Sequence, residues 1–193
     1  MTADFELDDF QLRAIESLDR GHSVIVAAPT GAGKTVVAEH AVDLALRQGS
    51  RAFYTTPIKA LSNQKFRDLR ARHGDEAVGL MTGDNVIAAD APVLVMTTEV
   101  LRNMLYAGSS ALERLEFVVL DEVHYLQDTY RGPVWEEVIV HLPASVWLVC
   151  LSATVSNAEE LAEWITVVRG PTDLVVEQAR PVELRNLCLL YTS

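Results

Sequence analysis

The chain has 193 residues, of which 49% are hydrophobic, and a formal net charge of −11 at pH 7. This length and apolar content predict one well-packed domain. No apolar stretch is long enough to cross a membrane, and the acidic start of the chain lacks the positive charge of a secretory signal. We therefore expect a cytoplasmic protein with no membrane partner. The negative charge excludes nucleic-acid binding by bulk electrostatic attraction, although it leaves room for a local groove.

The two cysteines indicate a reducing compartment. Cys150 lies inside an apolar run, Cys188 lies near the end of the chain, and neither has metal-ligand spacing around it. We therefore expect no disulfide between them and no cysteine-bound metal.

Positive charge is concentrated in one stretch of the otherwise acidic chain. Residues 59–73 contain two of the three lysines together with arginines and a histidine: Lys59, Lys65, Arg67, Arg70, Arg72 and His73. Such a run fits either a solvated helix face or a surface that binds nucleic acid.

The first predicted element is a helix that ends at Gly21. Asp8 or Asp9 can cap its start, and Gln11 lies on the apolar face that recurs at helical spacing through Leu18. The carboxamide of Gln11 offers a donor and an acceptor together, so it can recognise the edge of an adenine.

A phosphate-binding loop follows the first predicted strand, residues 24–26, and precedes an amphipathic helix. The loop consists mainly of small residues: Ala28, Pro29, Thr30, Gly31, Ala32, Gly33, Lys34 and Thr35. Several backbone N–H groups can point into one concavity there, at the positive end of the helix dipole. Lys34 is suited to the β- and γ-phosphates and the Thr35 hydroxyl to Mg²⁺. The sequence therefore predicts a site for ATP and magnesium, although Ala28 replaces the first glycine of the general motif.

Six further apolar runs predict strands, at residues 51–55, 78–81, 93–96, 117–120, 146–151 and 174–176. Helical patterns alternate with them, which predicts an α/β fold: a doubly wound, mostly parallel sheet with helices on both faces. Residues 82–85 are predicted to form a loop. Ligands of such sheets bind outside the carboxyl ends of the strands, where the polar clusters of this chain fall.

Two acidic residues, Asp121 and Glu122, follow the strand at residues 117–120. Phosphoryl transfer to water needs a cation on the phosphate oxygens and a group that orients the water. Asp121 suits the metal, directly or through water, and Glu122 suits the general base, so that with Lys34 they form a candidate catalytic set. The alternative is a pair of solvated loop charges, the usual environment of acidic side chains.

The order of three motifs resembles that of the superfamily-two DExH helicases. These motifs are the phosphate loop, Asp121-Glu122-Val123-His124 and Ser152-Ala153-Thr154. Segments 56–65, 97–102 and 131–137 are similar to the Ski-two-like branch, which includes exosome-associated RNA helicases. The Arg-rich, Lys-poor composition suits an actinobacterial form.

The resemblance implies a RecA-like P-loop NTPase domain over residues 1–184, with roles for individual residues. Phe5 and Gln11 belong to the segment that recognises adenine in this family. His124, Ser152 and Thr154 would couple the nucleotide state to the nucleic-acid groove. For Ser152 and Thr154 the alternative is a strand-terminating turn with a helix cap. Single-stranded nucleic acid, with RNA favoured, would contact the family's strand-binding positions: Pro57, Lys59, Asn63, Gln64, Gly83, Thr98 and Arg102.

The family also has a second RecA-like domain, which we expect to be missing from this chain. Residues 188–193 match the translation of a transposon-end sequencing adapter, so we expect residues 185–193 to be a non-native tail. The alternative for these last residues is an ordinary C-terminal strand. The resemblance therefore implies the ATPase domain of a monomeric RNA helicase that unwinds 3′ to 5′ when intact, whereas this fragment alone would be inactive as a helicase. Two alternatives are a DNA helicase of the repair type and a single-domain nucleotide switch.

Overall fold

The computed structural model describes residues 7–127, 132–153 and 157–179. Within them lie eight strands: β1 (Ser23–Ala27), β2 (Arg51–Thr56), β3 (Val78–Thr82), β4 (Asn85–Ile87), β5 (Val93–Thr97), β6 (Leu115–Leu120), β7 (Trp147–Ser152) and β8 (Thr172–Val176). The same ranges contain six α-helices: α1 (Asp9–Asp19), α2 (Thr35–Gln48), α3 (Lys59–His73), α4 (Thr98–Tyr106), α5 (Gly132–His141) and α6 (Ala158–Arg169). Short 3₁₀ turns occupy Ser110–Leu112 and Val123–Gln127.

All eight strands belong to one sheet, in the order β4-β3-β5-β2-β6-β7-β1-β8. Every pairing is parallel except that of β3 with β4. Helices α1, α2 and α3 contribute to the core on one face, and α4, α5 and α6 contribute to the core on the other. The predicted doubly wound α/β fold is confirmed.

The central strands are apolar throughout because both of their faces are covered. Along β1, Val24 and Val26 belong to the core on one face and Ile25 to the core on the other. Helix α2 presents small buried residues, including Ala41 and Ala45, to the first of these cores. The uninterrupted apolar runs of the sequence are therefore a consequence of this layered packing.

Helix ends follow the capping residues of the sequence. Asp8 precedes α1, and its backbone N–H donates to the Gln11 carboxamide oxygen at 3.0 Å. Gly49 ends α2 with φ 70°, a left-handed conformation that glycine adopts without steric cost. Helix α1 ends at Asp19, close to its predicted end at Gly21, and the turn at Gly21 leads into β1.

The prediction of a loop over residues 82–85 holds for Gly83 and Asp84 and is wrong for Thr82 and Asn85. Thr82 ends β3 and Asn85 begins β4, so the chain forms a β-hairpin with Gly83 and Asp84 at its turn. All three residues of β4 are exposed. Val86 and Ile87 of β4 are apolar but exposed, and a strand of three residues beside a turn is too short to show a periodic pattern in the sequence.

Cys150 lies fully buried in β7 as a free cysteine. Burial raises the pKa of its thiol to about 12, so the thiol stays protonated and unreactive at neutral pH. Cys188 lies outside the described residues. In the part of the chain that the structure describes, no helix has both the length and the apolar character needed to cross a bilayer.

Gly79 in β3 lies very close to the backbone of Ile87 and Ala88, at the end of the β3–β4 hairpin. A Cβ atom at this position would meet the carbonyl oxygen of Ala88, and it would lie 2.8 Å from that of Ile87 and 2.7 Å from Leu94 Cδ2. Two of these three atoms belong to the backbone. Only glycine leaves room for this approach.

We therefore expect Gly79→Ala to lower the free energy of unfolding by about 2 kcal/mol, because the added methyl group forces backbone atoms apart. Urea denaturation measures this difference. Gly83→Ala is the matched control, since a Cβ there meets nothing within 4 Å. Equal stability of the two variants would contradict the close approach.

Candidate functional site

The parallel strands deliver most of the predicted site residues to one edge of the sheet. β1 leads into the phosphate loop, and β6 leads into Asp121. The register places Ala27 of β1 beside Ser152 of β7, and Thr56 of β2 beside Thr97 of β5. Segments that are distant in sequence therefore meet at the carboxyl ends of neighbouring strands.

The phosphate loop owes its path to two glycines. Gly31 and Gly33 have φ angles of 86° and 83°, which side-chain-bearing residues rarely adopt. A Cβ on Gly31 would meet nothing within 4 Å, whereas a Cβ on Gly33 would lie 2.6 Å from Gln11 Nε2. Gly31 is thus required by conformation alone, and Gly33 by conformation and close packing together.

Gln11 attaches helix α1 to this loop. Its side chain is 1% exposed; the carboxamide nitrogen donates to the Gly33 carbonyl at 3.1 Å, while the oxygen accepts from the Asp8 N–H. The sequence predicts adenine recognition by this carboxamide, whereas its bond to the loop was not predicted. Phe5, assigned with it, lies outside the described residues.

Replacing Gln11 by Ala removes a buried side chain and leaves both of its part-buried backbone partners without their bonds. We expect the free energy of unfolding to fall by about 2 kcal/mol. Leu12→Ala is the control, because Leu12 is the next residue of α1 and is 43% exposed. Thermal or urea unfolding of the two variants tests this, and a Gln11→Ala protein as stable as Leu12→Ala would disprove the attachment.

Lys34 points back into the loop. Its Nζ donates to the carbonyls of Ala28 at 2.6 Å and Pro29 at 3.1 Å. Partial burial lowers the pKa of Lys34, and the charges of Glu122 and Asp121 oppose that shift. The candidate phosphate-binding ammonium is thereby held between the loop carbonyls and the two acids.

Asp121 is held at both carboxylate oxygens. Tyr54 of β2 donates its hydroxyl to Oδ2 at 2.9 Å, and the backbone N–H of Glu122 donates to Oδ1 at 3.0 Å. Burial, followed by the charge of Asp121, raises the pKa of Tyr54 well above its ordinary value, so the phenol remains a donor. Tyr54 was not predicted to belong to the site. The sequence indicates it only through a polar hydroxyl group within a buried strand.

Glu122 has a strained backbone. Its φ of 59° is left-handed, a conformation that costs a residue with a side chain about 1–2 kcal/mol. Its carboxylate lies 3.2 Å from His124 Nδ1, and the backbone N–H of Ala153 lies 3.4 Å from the same nitrogen, which can accept from Ala153 when it carries no proton or donate to Glu122 when it does. His124 therefore connects the predicted general base to the segment after β7.

The two other predicted coupling residues end β7. The Ser152 hydroxyl is fully buried, and among residues 7–127, 132–153 and 157–179 it meets no hydrogen-bond partner. The carbonyl of Ser152 accepts from the N–H of Ala28, which connects β7 to the start of the phosphate loop. Thr154 lies outside the described residues.

The phosphate loop and the acidic pair line one cavity of about 420 Å³. Seven predicted residues contribute to its wall: Thr30, Gly31, Gly33, Lys34, Thr35, Asp121 and Glu122. Its volume is in the range of small-ligand sites. The Thr35 hydroxyl and the Asp121 carboxylate supply the oxygen donors that Mg²⁺ prefers, so the residues present fit a magnesium–nucleotide complex.

Four residues of the cavity wall were not predicted to bind nucleotide: Leu61, Gln64, Lys65 and Leu151. Three of them belong to α3, the helix that carries the basic stretch. Gln64 had been assigned to nucleic acid, yet the structure places it beside the phosphate loop.

The remaining strand-binding candidates lie around the ends of β2, β3 and β5. Thr98 is buried and its hydroxyl donates to the Thr56 carbonyl at 3.4 Å, while Thr56 and Ser62 share a hydrogen bond of 2.7 Å. Lys59 is exposed at the start of α3 and forms an ion pair with Asp84 in the turn of the β3–β4 hairpin. This contact brings the turn that holds Gly83 to the start of α3.

Three further candidates differ in exposure. Pro57 is buried after β2, and Asn63 is half-buried on α3. Arg102 of α4 lies 3.7 Å from Glu137 of α5, which keeps its guanidinium on the surface between these two helices.

The second half of the basic stretch packs α3 against its surroundings. Arg72 forms ion pairs with Glu39 and Asp43 of α2, and Arg70 pairs with Asp75. Acidic side chains of the protein therefore neutralise these charges, and this part of the basic stretch needs no nucleic acid to account for it.

A parallel sheet of this order, with a phosphate loop after β1 and an acidic pair after β6, defines a RecA-like helicase domain. The chain belongs to the DEAD/DEAH box helicase family, whose family model matches residues 8–161.

The relatives place the chain near the Ski-two-like helicases. It is 64% identical over 180 residues to "Probable helicase HelY" of Mycobacterium leprae, covering 93% of this chain and 20% of that protein. It is 54% identical over 183 residues to "Superkiller complex protein 2" of Homo sapiens, covering 94% and 14%. The chain thus spans about a fifth or less of the length of these relatives. The resemblance inferred from the motifs is confirmed.

The fold is similar to that of solved helicases. The structure of the Mycobacterium smegmatis helicase Lhr bound to ssDNA and AMP-PNP matches with a TM-score of 0.71 and 30% identity, over 89% of this chain and 26% of that one.

Proposed function

We propose that this chain is the nucleotide-binding RecA-like domain of an ATP-dependent helicase that moves 3′ to 5′ on single-stranded RNA. The observation that carries the proposal is the convergence of Lys34, Thr35, Asp121 and Glu122 on one cavity. A polyphosphate cradle, a pair of metal-binding oxygens and a water-orienting carboxylate together make up the minimum set for NTP hydrolysis.

Each residue has a distinct task in this reaction. Lys34 exchanges its two loop carbonyls for phosphate oxygens, which are charged acceptors and bind an ammonium more strongly. Thr35 and Asp121 hold Mg²⁺, which neutralises charge on the phosphate oxygens when bound. Glu122 orients the attacking water and accepts its proton. Tyr54 keeps the Asp121 carboxylate in one orientation.

The cavity wall formed by the described residues contains no arginine. Charge on the transferred phosphoryl group is commonly stabilised by an arginine finger, which is worth about 10³ to 10⁵ in rate. We propose that a second RecA-like domain supplies it. The fragment would then bind nucleotide while hydrolysing it slowly, and it would not unwind a duplex.

RNA is the favoured strand because several relatives are named RNA helicases. They include the "DExH-box ATP-dependent RNA helicase DExH15 chloroplastic" of Arabidopsis thaliana, at 53% identity over 187 residues. The candidate contacts are hydroxyls, amides, the cations Lys59 and Arg102 and the start of α4, which suit a phosphate backbone without a large net positive charge. Single-stranded DNA is the second candidate, since the Lhr structure holds it.

We expect Lys34→Ala to weaken binding of Mg²⁺-ATP by about 100-fold, because an ammonium directed at phosphate oxygens is lost. Titration with a fluorescent ATP analogue measures the affinity, and circular dichroism checks the fold. Lys59→Ala is the control, since Lys59 does not line the cavity and pairs with Asp84 instead. Equal affinities of the Lys34→Ala and unsubstituted chains would contradict the nucleotide site.

We expect the double substitution Lys59→Ala and Arg102→Ala to lower the affinity for single-stranded RNA by about tenfold at low salt. The loss should be the same for oligo-A and oligo-U, because both side chains are directed at the backbone. Fluorescence anisotropy with labelled RNA and DNA oligonucleotides of equal length, over a range of salt concentrations, measures it.

The matched control for this pair is Arg47→Ala with Arg67→Ala, which removes two exposed cations from α2 and α3. Equal affinities of the two double variants would contradict the assigned groove. Tighter binding of DNA than of RNA by the unsubstituted chain would favour the DNA-unwinding alternative.

A further inference from the structure

Lys65 of α3 lies in the nucleotide cavity, and nothing in the motif analysis assigned it a role. Its Nζ donates to the Thr35 hydroxyl at 3.3 Å and lies 5.7 Å from the centre of the Tyr54 ring. The hydroxyl of the same Tyr54 binds Asp121. The Lys65 ammonium thus lies near both candidate metal-binding residues, Thr35 directly and Asp121 through the tyrosine.

We propose that Lys65 is a second phosphate-binding lysine, which contacts the terminal phosphate of a bound nucleoside triphosphate. This inference rests on the proposed function, because it requires the cavity to be the nucleotide site. Lys34 serves the phosphate loop, and Lys65 lines the same cavity from α3. The two acids that act on the terminal phosphate belong to this same cavity.

The partners of Lys65 distinguish it from three other cations of α3. Lys59, Arg70 and Arg72 each form an ion pair with a carboxylate. Within the described residues, the contacts of Lys65 are a neutral hydroxyl and an aromatic ring. An ammonium has three donors, and a hydroxyl with a ring face leaves it able to bind an anion.

The spacing on α3 supports the same assignment. Leu61, Gln64 and Lys65 line the cavity, and residues three and four apart share one face of a helix. Ser62, Phe66 and Leu69 are buried on another face of the helix. A stripe of α3 is therefore directed at the nucleotide site, whereas Lys59 at its first turn is directed at the hairpin.

The test compares binding of fluorescent ATP and ADP analogues by four chains: unsubstituted, Lys65→Met, Lys65→Arg and Arg67→Met. We expect Lys65→Met to weaken ATP binding by about tenfold and ADP binding by less than about threefold. Lys65→Arg retains the charge and should keep the preference for ATP. Arg67→Met removes a charge from the exposed face of the same helix and should change neither affinity.

A second arm repeats the titrations in EDTA, which separates a direct phosphate contact from an effect through Thr35 and the metal. A direct contact predicts that the Lys65→Met protein loses its preference for ATP over ADP with and without Mg²⁺. An equal loss for both nucleotides, or a loss that disappears in EDTA, would overturn the role of Lys65.

Failure of the proposed function gives a different result. If the unsubstituted chain and Lys34→Ala bind ATP equally, the cavity is not the nucleotide site and both proposals fall. If Lys34→Ala loses ATP binding while Lys65→Met behaves like the unsubstituted chain, only the inference about Lys65 is overturned.

Discussion

Parallel pairing of the central strands is the constraint on which the site depends. Because β1, β2, β5, β6 and β7 run in one direction, their carboxyl ends share an edge, and every loop that carries chemistry leaves the sheet there. Burial of both faces fixes the register, since a slip by one residue would exchange the two cores. The packing of the sheet therefore also determines the geometry of the site.

At this edge, functional side chains are held by groups from other elements. Gln11 of α1 supports the phosphate loop at Gly33, and Tyr54 of β2 orients Asp121 at the end of β6. His124 connects Glu122 to the segment that follows β7. Such contacts between elements restrict the rotamers of the candidate catalytic groups before a ligand binds. They therefore reduce the reorganisation that binding and catalysis require.

The sequence predicted what depends on local pattern and left out what depends on register. Apolar runs identified all the buried strands, and motif spacing predicted Lys34, Thr35 and Asp121, which the structure brings to one cavity. Strand β4 was missed because its three residues are too few to show a periodic pattern. Tyr54 and Lys65 were missed because their partners lie 67 and 30 residues away in the chain, and only the folded sheet determines those distances.

The left-handed backbone of Glu122 has a consequence for how this domain can change over evolution. A glycine at this position would relieve the steric strain at φ 59°, yet it would remove the carboxylate assigned to the water. Selection for stability and selection for activity therefore act in opposite directions at a single residue. In a lineage that no longer needs hydrolysis, glycine could replace Glu122 without loss of activity. The residue at this position would therefore indicate whether hydrolysis is retained.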